Sequence, residues 1–468
     1  MASNTSESRT TPAAAATPGT AGPGAARTRG LTQIFCASSL YGAATLAAAI
    51  DAGLFGPAER RLLVVCNNSA SPELHPSIDR MPGFEQLRDR FDDLVSWNET
   101  IAPFHPSGWS PRSDDTPLWE RHLRLAWGLG DTRVEVAVES IQVNPALAIT
   151  EIFTGAPLTV YADGLMSYGP TRSKIPPLIG SRVRRLLHLD LVPGLKPLLL
   201  TEFGVEPELV PTEAFRRVLD TLTDTAEGIA TPSVPPVLIL GQYLSALGIL
   251  TEREEEELHA TMVRGAAALG HKHVVFKPHP AAPSEWSKLL EDEAKKAGVE
   301  LTVLDTPVLA EVLYKRLKPV LVVGCFSTAL LTASAFYGIP VARTGTEILL
   351  ERLAPYQNSN RVPVTIVDAL LTPLDDDGSF EPEAHLGELV EAVGFAMQAQ
   401  IYPNLRPAAE RYLSTHLDDR TWRYFKRRRL TALGLPGAIP SQLAAIPRNA
   451  TARRMVRRAR KLRRTVLR

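Results

Sequence analysis

Three features are scarce or missing in this 468-residue sequence, and each excludes a class of protein. The three cysteines, Cys36, Cys66 and Cys325, are too few and too scattered for a disulfide framework or a zinc site. No apolar run is long enough to cross a membrane, since the best candidate, Leu40–Leu54, is short and contains Asp51. The formal net charge is zero, so we expect no nucleic-acid partner.

What remains is the composition of a soluble globular protein, with 44% apolar and 22% charged residues. Its length is enough for two or three domains. The segment Met1–Gly30 is rich in Ala, Thr, Pro, Gly and Ser and has no apolar core, which predicts a disordered leader and no secretory signal. Cysteines in or beside predicted strands are typical of buried thiols, and we expect a cytoplasmic protein.

The first half of the chain alternates between strand and helix patterns, which indicates a parallel sheet covered on both faces. The predicted strands are Thr32–Cys36, Arg61–Cys66, Val134–Val138 and Leu158–Val160. The predicted helices are Tyr41–Ala52, Phe84–Phe91, Leu118–Leu129 and Thr212–Leu222. Between the last strand and the last helix, Lys174–Leu200 is basic and rich in Pro and Leu, and it shows no clear element.

A Pro-bearing joint at Thr231–Pro236 opens a second alternating series. Its predicted strands are Val237–Leu240, His273–Phe276, Leu301–Leu304, Val320–Val323, Pro340–Arg343 and Val362–Ile366. Its predicted helices are Glu252–Leu269, Glu285–Ala297, Val308–Leu317, Ser327–Tyr337, Glu381–Gln400 and Pro407–Leu417. Two such series predict an α/β protein with two Rossmann-like domains facing a central cleft.

The expected divisions follow from these patterns. They are a leader at 1–30, an N-terminal Rossmann-like domain at 31–230, a C-terminal Rossmann-like domain at 231–400, C-terminal helices at 401–447 and a basic tail at 448–468. We expect the C-terminal helices to pack partly on the first domain. The tail has ten Arg or Lys, no Asp or Glu, and interspersed apolar residues, which predicts binding to an anionic membrane surface. The alternative is a solvated charged end.

Two motifs lie where predicted strands end, at the sheet edge that binds ligands in open α/β folds. His279 is held between prolines in Lys277-Pro278-His279-Pro280, and an imidazole there can bind a phosphate oxygen or protonate a leaving group. Ser327 and Thr328 follow a strand and begin a helix, where hydroxyls and free N–H groups favour a phosphate. The alternatives are a structural loop histidine and an ordinary helix cap.

A third motif, Asp163-Gly164, follows a strand of the first series, where a carboxylate can take a proton from an acceptor hydroxyl. The alternative is a common Asp-Gly turn. The acidic run Asp375–Asp377 has no strand before it, so we interpret it as a turn and not a metal site. The sequence contains no Walker lysine loop, no GxGxxG after a strand, no GxSxG and no HExxH.

Together the three motifs resemble those of the bacterial sialyltransferases of the polysialyltransferase group. The matching residues are Ala162-Asp163-Gly164, His279-Pro280 and Ser327-Thr328, in the same order and each after a strand. The resemblance covers about Leu31 to Leu371. It implies a GT-B fold with an acceptor domain at 31–230 and a nucleotide-sugar domain at 231–400. It also implies a CMP-sialic acid donor, no cofactor and no metal.

The resemblance also implies roles for individual residues. Asp163 resembles the general base, His279 the residue that assists CMP departure, and Ser327 and Thr328 the phosphate ligands. Ala162 departs from the family, which has an acidic residue there. The other expected nucleotide- or phosphate-binding residues are Lys277, Pro280, Gly324 and Gly241, and the expected acceptor-binding residues are Ser39, Tyr168, Arg172 and Lys174.

Three hypotheses follow. The first is a glycosyltransferase that moves sialic acid or a related nonulosonic acid from a CMP donor to a glycan or glycolipid hydroxyl in cell-surface polysaccharide synthesis, on the inner face of the plasma membrane. The second is a GT-B enzyme that uses another nucleotide sugar. The third is a non-catalytic nucleotide-binding protein at the membrane surface, suggested by Ala162 and by the basic tail. Selectivity among nucleotides separates the first two, and turnover separates both from the third.

Overall fold

The computed structural model describes residues 30–162, 164–223, 228–279 and 286–438. These residues form two parallel sheets with helices on their faces. The strands of the first sheet are β1 Leu31–Ala37, β2 Arg60–Val65, β3 Asp93–Ser96, β4 Arg133–Glu139, β5 Leu158–Tyr161, β6 Val183–His188 and β7 Pro207–Leu209. The strands of the second sheet are β8 Val237–Leu240, β9 His273–Lys277, β10 Glu300–Val303, β11 Leu321–Gly324 and β12 Val341–Arg343.

Helices connect and cover these strands. In the first half they are α1 Leu40–Asp51, α2 Glu85–Arg88, α3 Trp97–Ile101, α4 Thr116–Ala126, α5 Ala146–Ile152, α6 Pro177–Gly180 and α7 Thr212–Thr223. In the second half they are α8 Glu252–Ala268, α9 Trp286–Ala297, α10 Ala310–Leu317, α11 Thr328–Tyr337, α12 Thr346–Arg352, α13 Arg361–Leu370, α14 Leu386–Gln398, α15 Arg406–Thr415 and α16 Arg427–Leu433.

The strand orders place the ligand-binding edges. The first sheet runs β3-β2-β1-β4-β5-β6-β7 and the second runs β10-β9-β8-β11-β12. In each sheet the order of connection reverses beside the first strand, between β1 and β4 and between β8 and β11. Ligands bind at the carboxyl ends of parallel strands near such a reversal. This is the GT-B architecture of two Rossmann-like domains, so the predicted fold class is confirmed.

Strand sequences and packing explain this arrangement. All four residues of β8 are buried, as expected for a central strand covered on both faces. Helix α1 is rich in alanine, and ten of its twelve residues are buried. Small side chains let α1 lie close between the first sheet and α7, where Tyr41 meets Phe215 at a ring-centroid distance of 5.3 Å. The start of α1 is thereby fixed at the carboxyl edge of β1.

The C-terminal helices return to the first domain, in agreement with the prediction. Tyr402, fully buried just after α14, donates from its hydroxyl to a Glu202 carboxylate oxygen at 2.6 Å. The same hydroxyl accepts a hydrogen bond from Thr171 N at 2.9 Å. The side-chain amide of Gln398 donates to the carbonyl of Arg172. These bonds connect the two halves of the chain outside the cleft.

A buried charged network fixes the outer end of the second sheet. Arg343, in β12, lies 3.2 Å from Asp368 of α13, and both side chains are almost wholly buried. Asp368 also accepts hydrogen bonds from Thr346 at 2.7 Å and from the Tyr424 hydroxyl at 2.9 Å. Because buried charges must be paired and hydrogen-bonded, this network specifies how α12, α13 and the segment before α16 pack.

Several sequence predictions need correction. Val362–Ile366 was expected to be a strand but lies within α13, whose burial around most of its circumference hides the helical period. The predicted helix at Phe84–Phe91 is only the four residues of α2. Strands β3, β6 and β7 were not predicted, because they are short or carry arginines and prolines that mask the apolar pattern.

Candidate active site

The two domains meet where the chain leaves β5 and where α11 begins. Leu165 N donates a hydrogen bond to Thr328 Oγ1 at 3.3 Å. Gly164 has φ +108°, and a Cβ atom built at this position would collide with the Thr328 side chain. Glycine therefore satisfies both the backbone conformation and the close approach. The contact brings two motifs that are more than 160 residues apart in the sequence to one point in the cleft.

Helix α11 begins at this contact. Ser327 is its N-cap residue, and Ser327 Oγ accepts a hydrogen bond from Ala329 N at 3.2 Å. Ser327 and Thr328 are both half-buried, and Thr328 Oγ1 already faces the first domain. The first turn of a helix favours an anion through its N–H groups and its dipole. Capping and phosphate binding use the same groups, so the observed cap is compatible with a phosphate here.

Hydrogen bonds hold the loops after β8, β9 and β11 together at one edge. Gly241 N donates to the carbonyl of Lys277 at 2.9 Å, and Phe326 N donates to Gln242 Oε1 at 2.8 Å. A Cβ at Gly241 would lie 2.9 Å from the Phe276 ring, so the close packing requires glycine. Gly324, the last residue of β11, has only ordinary contacts with Leu330 around its Cβ direction. These bonds and contacts connect the loops that carry His279 and Ser327 to each other.

His279 lies just past the end of β9. More than a third of its surface is exposed, and its ring centroid is 6.3 Å from that of Tyr243. The surrounding protein, and secondly the positive charge of Lys277, lower the pKa of His279 below its usual value. The imidazole is therefore mainly neutral at pH 7 in the free protein. A bound phosphate would favour its protonated form.

Lys277 is buried, and its Nζ donates to the carbonyl of Thr306 at 3.3 Å. Burial lowers the pKa of Lys277, while the nearby carboxylates of Glu311 and Asp305 oppose this shift. Glu311 is itself buried and accepts a hydrogen bond from Thr332 at 2.8 Å. In this structure the Lys277 ammonium is thus hydrogen-bonded to the loop after β10. Its positive charge disfavours the protonated form of His279.

Two predicted site residues, Asp163 and Pro280, lie outside the described residues, as do the leader 1–29 and the tail 448–468. Their neighbours are described. Ala162 is buried, and its N–H donates to the carbonyl of Leu187 at 2.9 Å. The roles suggested for Asp163 and Pro280 stay predictions.

The expected acceptor-binding residues differ in their surroundings and exposure. Ser39 caps α1, since its Oγ accepts from Gly42 N at 3.0 Å. Tyr168 is fully buried, and burial raises its pKa to about 12. Its hydroxyl is hydrogen-bonded within the domain, so it offers no surface to a ligand in this structure. Arg172 is half-buried on the following loop and Lys174 is exposed.

One carboxylate that the sequence analysis did not select is Glu139, the last residue of β4. The Ser38 hydroxyl donates to its Oε2, and Ser39 Oγ donates to its Oε1 at 3.4 Å. The predicted strand Val134–Val138 ends one residue before β4 does, so Glu139 directly follows it. A carboxylate in that position is an available signal, because it lies at the ligand-binding edge of the sheet.

Two further features of the described residues concern metals and membranes. Within the described residues, no group of three or more His, Cys, Asp or Glu side chains is arranged to hold a metal ion. No helix in the same part of the chain is long and apolar enough to span a bilayer.

Comparison with protein families shows what the chain is similar to in sequence. A family model described as alpha-2,8-polysialyltransferase (POLYST) matches residues 33–346, which is about two thirds of the chain. The matched region begins in β1 and ends at the first residue of α12, so it contains both sheets and all three motifs. No curated protein sequence is similar enough to count as a match.

Solved structures with a similar course of the chain include three glycosyltransferases. The GT-B domain of a sialyltransferase from Photobacterium damselae is 12% identical, with a TM-score of 0.37 over 71% of this chain and 95% of that one. MurG from Acinetobacter baumannii is 10% identical, with a TM-score of 0.39 over 82% and 95%. UGT2 from Phytolacca americana is 11% identical, with a TM-score of 0.40 over 86% and 99%. These similarities are too low to support a functional argument.

The pKa of His279 provides a test of the site's electrostatics. Replacing Lys277 by Met removes a nearby positive charge, which should raise the pKa of His279 toward its usual value because the imidazolium is no longer repelled. An NMR titration of the histidine ring resonances measures this, with His279→Gln used to assign the signal. A midpoint that stays the same or falls in Lys277→Met would contradict the arrangement.

Proposed function

Because the chain belongs to the alpha-2,8-polysialyltransferase family, we propose that it transfers sialic acid or a related nonulosonic acid from a CMP donor to a glycan or glycolipid hydroxyl, without a metal. It is a glycosyltransferase of GT-B architecture. The observation that carries the proposal is the contact between Leu165 N and Thr328 Oγ1, which joins the acidic motif to the Ser-Thr motif across the cleft.

On the donor side, the CMP phosphate would lie at the start of α11, near Ser327 and Thr328. The bond between the anomeric carbon of the sugar and a phosphate oxygen breaks, and its electron pair leaves with CMP. Helix-start N–H groups and a protonated or hydrogen-bonding His279 stabilise the charge that develops on this phosphate. The pKa of the free imidazole is lowered, so the negative charge that grows on the phosphate as CMP leaves, and not the resting protein, favours its protonation.

On the acceptor side, a hydroxyl of the glycan forms the new bond to the anomeric carbon and loses its proton. Asp163, which immediately precedes Gly164, is proposed to take this proton. The contact of the neighbouring Gly164 with Thr328 supports this role, because it puts the acidic motif beside the Ser-Thr motif. Closure of the two domains at this contact would limit the access of water, which otherwise competes as an acceptor.

The donor half of the proposal is tested by CMP release from CMP-sialic acid in EDTA. Replacing His279 by Ala should lower this rate by about two to four orders of magnitude, because stabilisation of the leaving phosphate is lost. His271→Ala is a matched control, since His271 lies just before the first residue of β9, whereas His279 lies just after its last residue. Near-wild-type CMP release by His279→Ala would show that His279 does not stabilise the leaving phosphate. CMP release by the wild type only after addition of a divalent metal would show that the reaction needs a metal.

We also propose that the basic segment 448–468 holds the enzyme on the anionic cytoplasmic face of the plasma membrane. Ten basic residues with no acidic residue provide the attraction, and Met455, Val456 and Leu462 provide apolar contacts. Deleting 448–468 should reduce sedimentation with phosphatidylserine vesicles and leave the turnover of soluble substrates unchanged. Equal sedimentation of the shortened and full-length chains would show that this segment is not an anchor.

A further inference from the structure

Glu139 occupies a position in the first domain that the family resemblance does not assign. It pairs in register with Tyr161, the last residue of β5, and Ala162 follows directly. Adjacent strands are about 4.8 Å apart and each residue advances about 3.3 Å, so the Cα atoms of Glu139 and Ala162 are roughly 6 Å apart. The structure thus has a carboxylate one strand away from the acidic motif.

Three donors hold this carboxylate in one orientation. Ser38 N donates to Glu139 Oε2 at 3.2 Å, the Ser38 hydroxyl donates to the same oxygen, and Ser39 Oγ donates to Oε1 at 3.4 Å. A Cβ at Gly42 would lie 2.9 Å from Glu139 Oε1 and 3.2 Å from the Tyr161 hydroxyl, so glycine leaves the space that the carboxylate needs. The side chain is therefore pre-positioned, as binding groups usually are.

The backbone after Glu139 is strained. Ser140 and Ile141 both have positive φ, at +59° and +44°, and a β-branched residue rarely adopts this conformation. Ser140 N donates to the carbonyl of Tyr161 at 3.0 Å and Ile141 is fully buried, so the surroundings enforce the turn. Such strain reduces stability and is concentrated at functional sites. Here it ends β4 abruptly and directs the chain around a cavity.

Glu139 faces this cavity, which has a volume of about 230 Å³. The amide side chains of Asn68 and Asn144 line it, together with Ser140 and Val143. Among the described residues that line it, Glu139 is the charged one. At about 30 Å³ per water the space equals roughly seven or eight water molecules, which suits part of a sugar ring.

A purely structural role for Glu139 explains only part of this arrangement. A carboxylate near the start of α1 would stabilise that helix through its dipole and through the Ser38 N–H. That role requires neither the adjoining cavity with its two amides nor the strained turn at Ser140 and Ile141. A binding role explains all of these features.

We propose that Glu139 and this cavity bind the acceptor, with the carboxylate accepting a hydrogen bond from a sugar hydroxyl. An ionised carboxylate accepts hydrogen bonds only and repels anions, whereas Asn68 and Asn144 can both donate and accept. The cavity therefore takes an uncharged, polyhydroxylated sugar unit and disfavours the carboxylate of another sialic acid. This inference rests on the proposed function and defines its acceptor: a glycan whose reacting end is neutral.

The test uses the full-length protein, CMP-sialic acid, and an array of fluorescent uncharged oligosaccharides and oligosialic acids. Wild type should sialylate uncharged members. Glu139→Gln keeps the shape but removes the charge, so KM for those acceptors should rise about 10- to 100-fold. CMP release without acceptor should stay within about twofold of wild type. Glu135→Gln, in the same strand but bonded to Gln33, is the matched control and should behave as wild type.

A second variant guards against misfolding. Asn68 is exposed, so Asn68→Leu should leave the fold intact while narrowing the cavity, and KM for the uncharged acceptor should rise again. The proposal is overturned if both variants keep the wild-type KM, or if wild type releases CMP but transfers to no uncharged glycan. If wild type releases no CMP at all, the proposed function itself fails and this inference fails with it.

Discussion

The two domains of this protein meet through one close approach, that of Gly164 to Thr328. A hydrogen bond from Leu165 N to Thr328 Oγ1 joins the end of a strand in the first sheet to the start of a helix in the second. Only a residue without a Cβ fits there, because its φ is positive and the Thr328 side chain occupies the space. The contact orients the carboxyl edges of two separately folded sheets toward each other, and every proposed chemical step takes place between those edges.

Hydrogen-bond donors and carboxylates lie on different domains of the candidate site. In the proposed reaction the second domain would contribute donors for the departing phosphate, namely the helix start at Thr328 and the imidazole of His279, whose pKa is lowered by the surrounding protein and by Lys277. The first domain would contribute Glu139, held by Ser38 and Ser39, for a hydroxyl-bearing acceptor. The C-terminal helices connect the sheets outside the cleft, through bonds such as that of Tyr402 to Glu202.

The sequence predicted the fold where apolar strands alternate with amphipathic helices, as from β8 to β12, because burial on both faces produces short apolar runs that composition reveals. It failed for β6, whose arginines interrupt the run, and for α13, whose β-branched residues imitate a strand. Motif residues could be found because they follow strands. Glu139 also follows a predicted strand and could have been selected by the same rule. The Gly164–Thr328 contact could not be predicted, because it depends on how distant segments come together, and no local pattern encodes that.

The most direct test of the central claim is the rate of sialic acid transfer by Gly164→Ala measured beside Gly169→Ala. Gly169 has no positive φ, and a Cβ there would come no closer than 3.4 Å to Met166 O, so its variant is a control for a methyl group added to the same loop. If the contact with Thr328 assembles the reaction centre, Gly164→Ala should lose about 10- to 100-fold in kcat/KM, equal to roughly 1.4–2.7 kcal/mol, and keep its melting temperature within a few degrees. Gly169→Ala should remain near wild type. Full transfer activity in Gly164→Ala would contradict the account, because it would show that transfer does not require the close contact between Gly164 and Thr328.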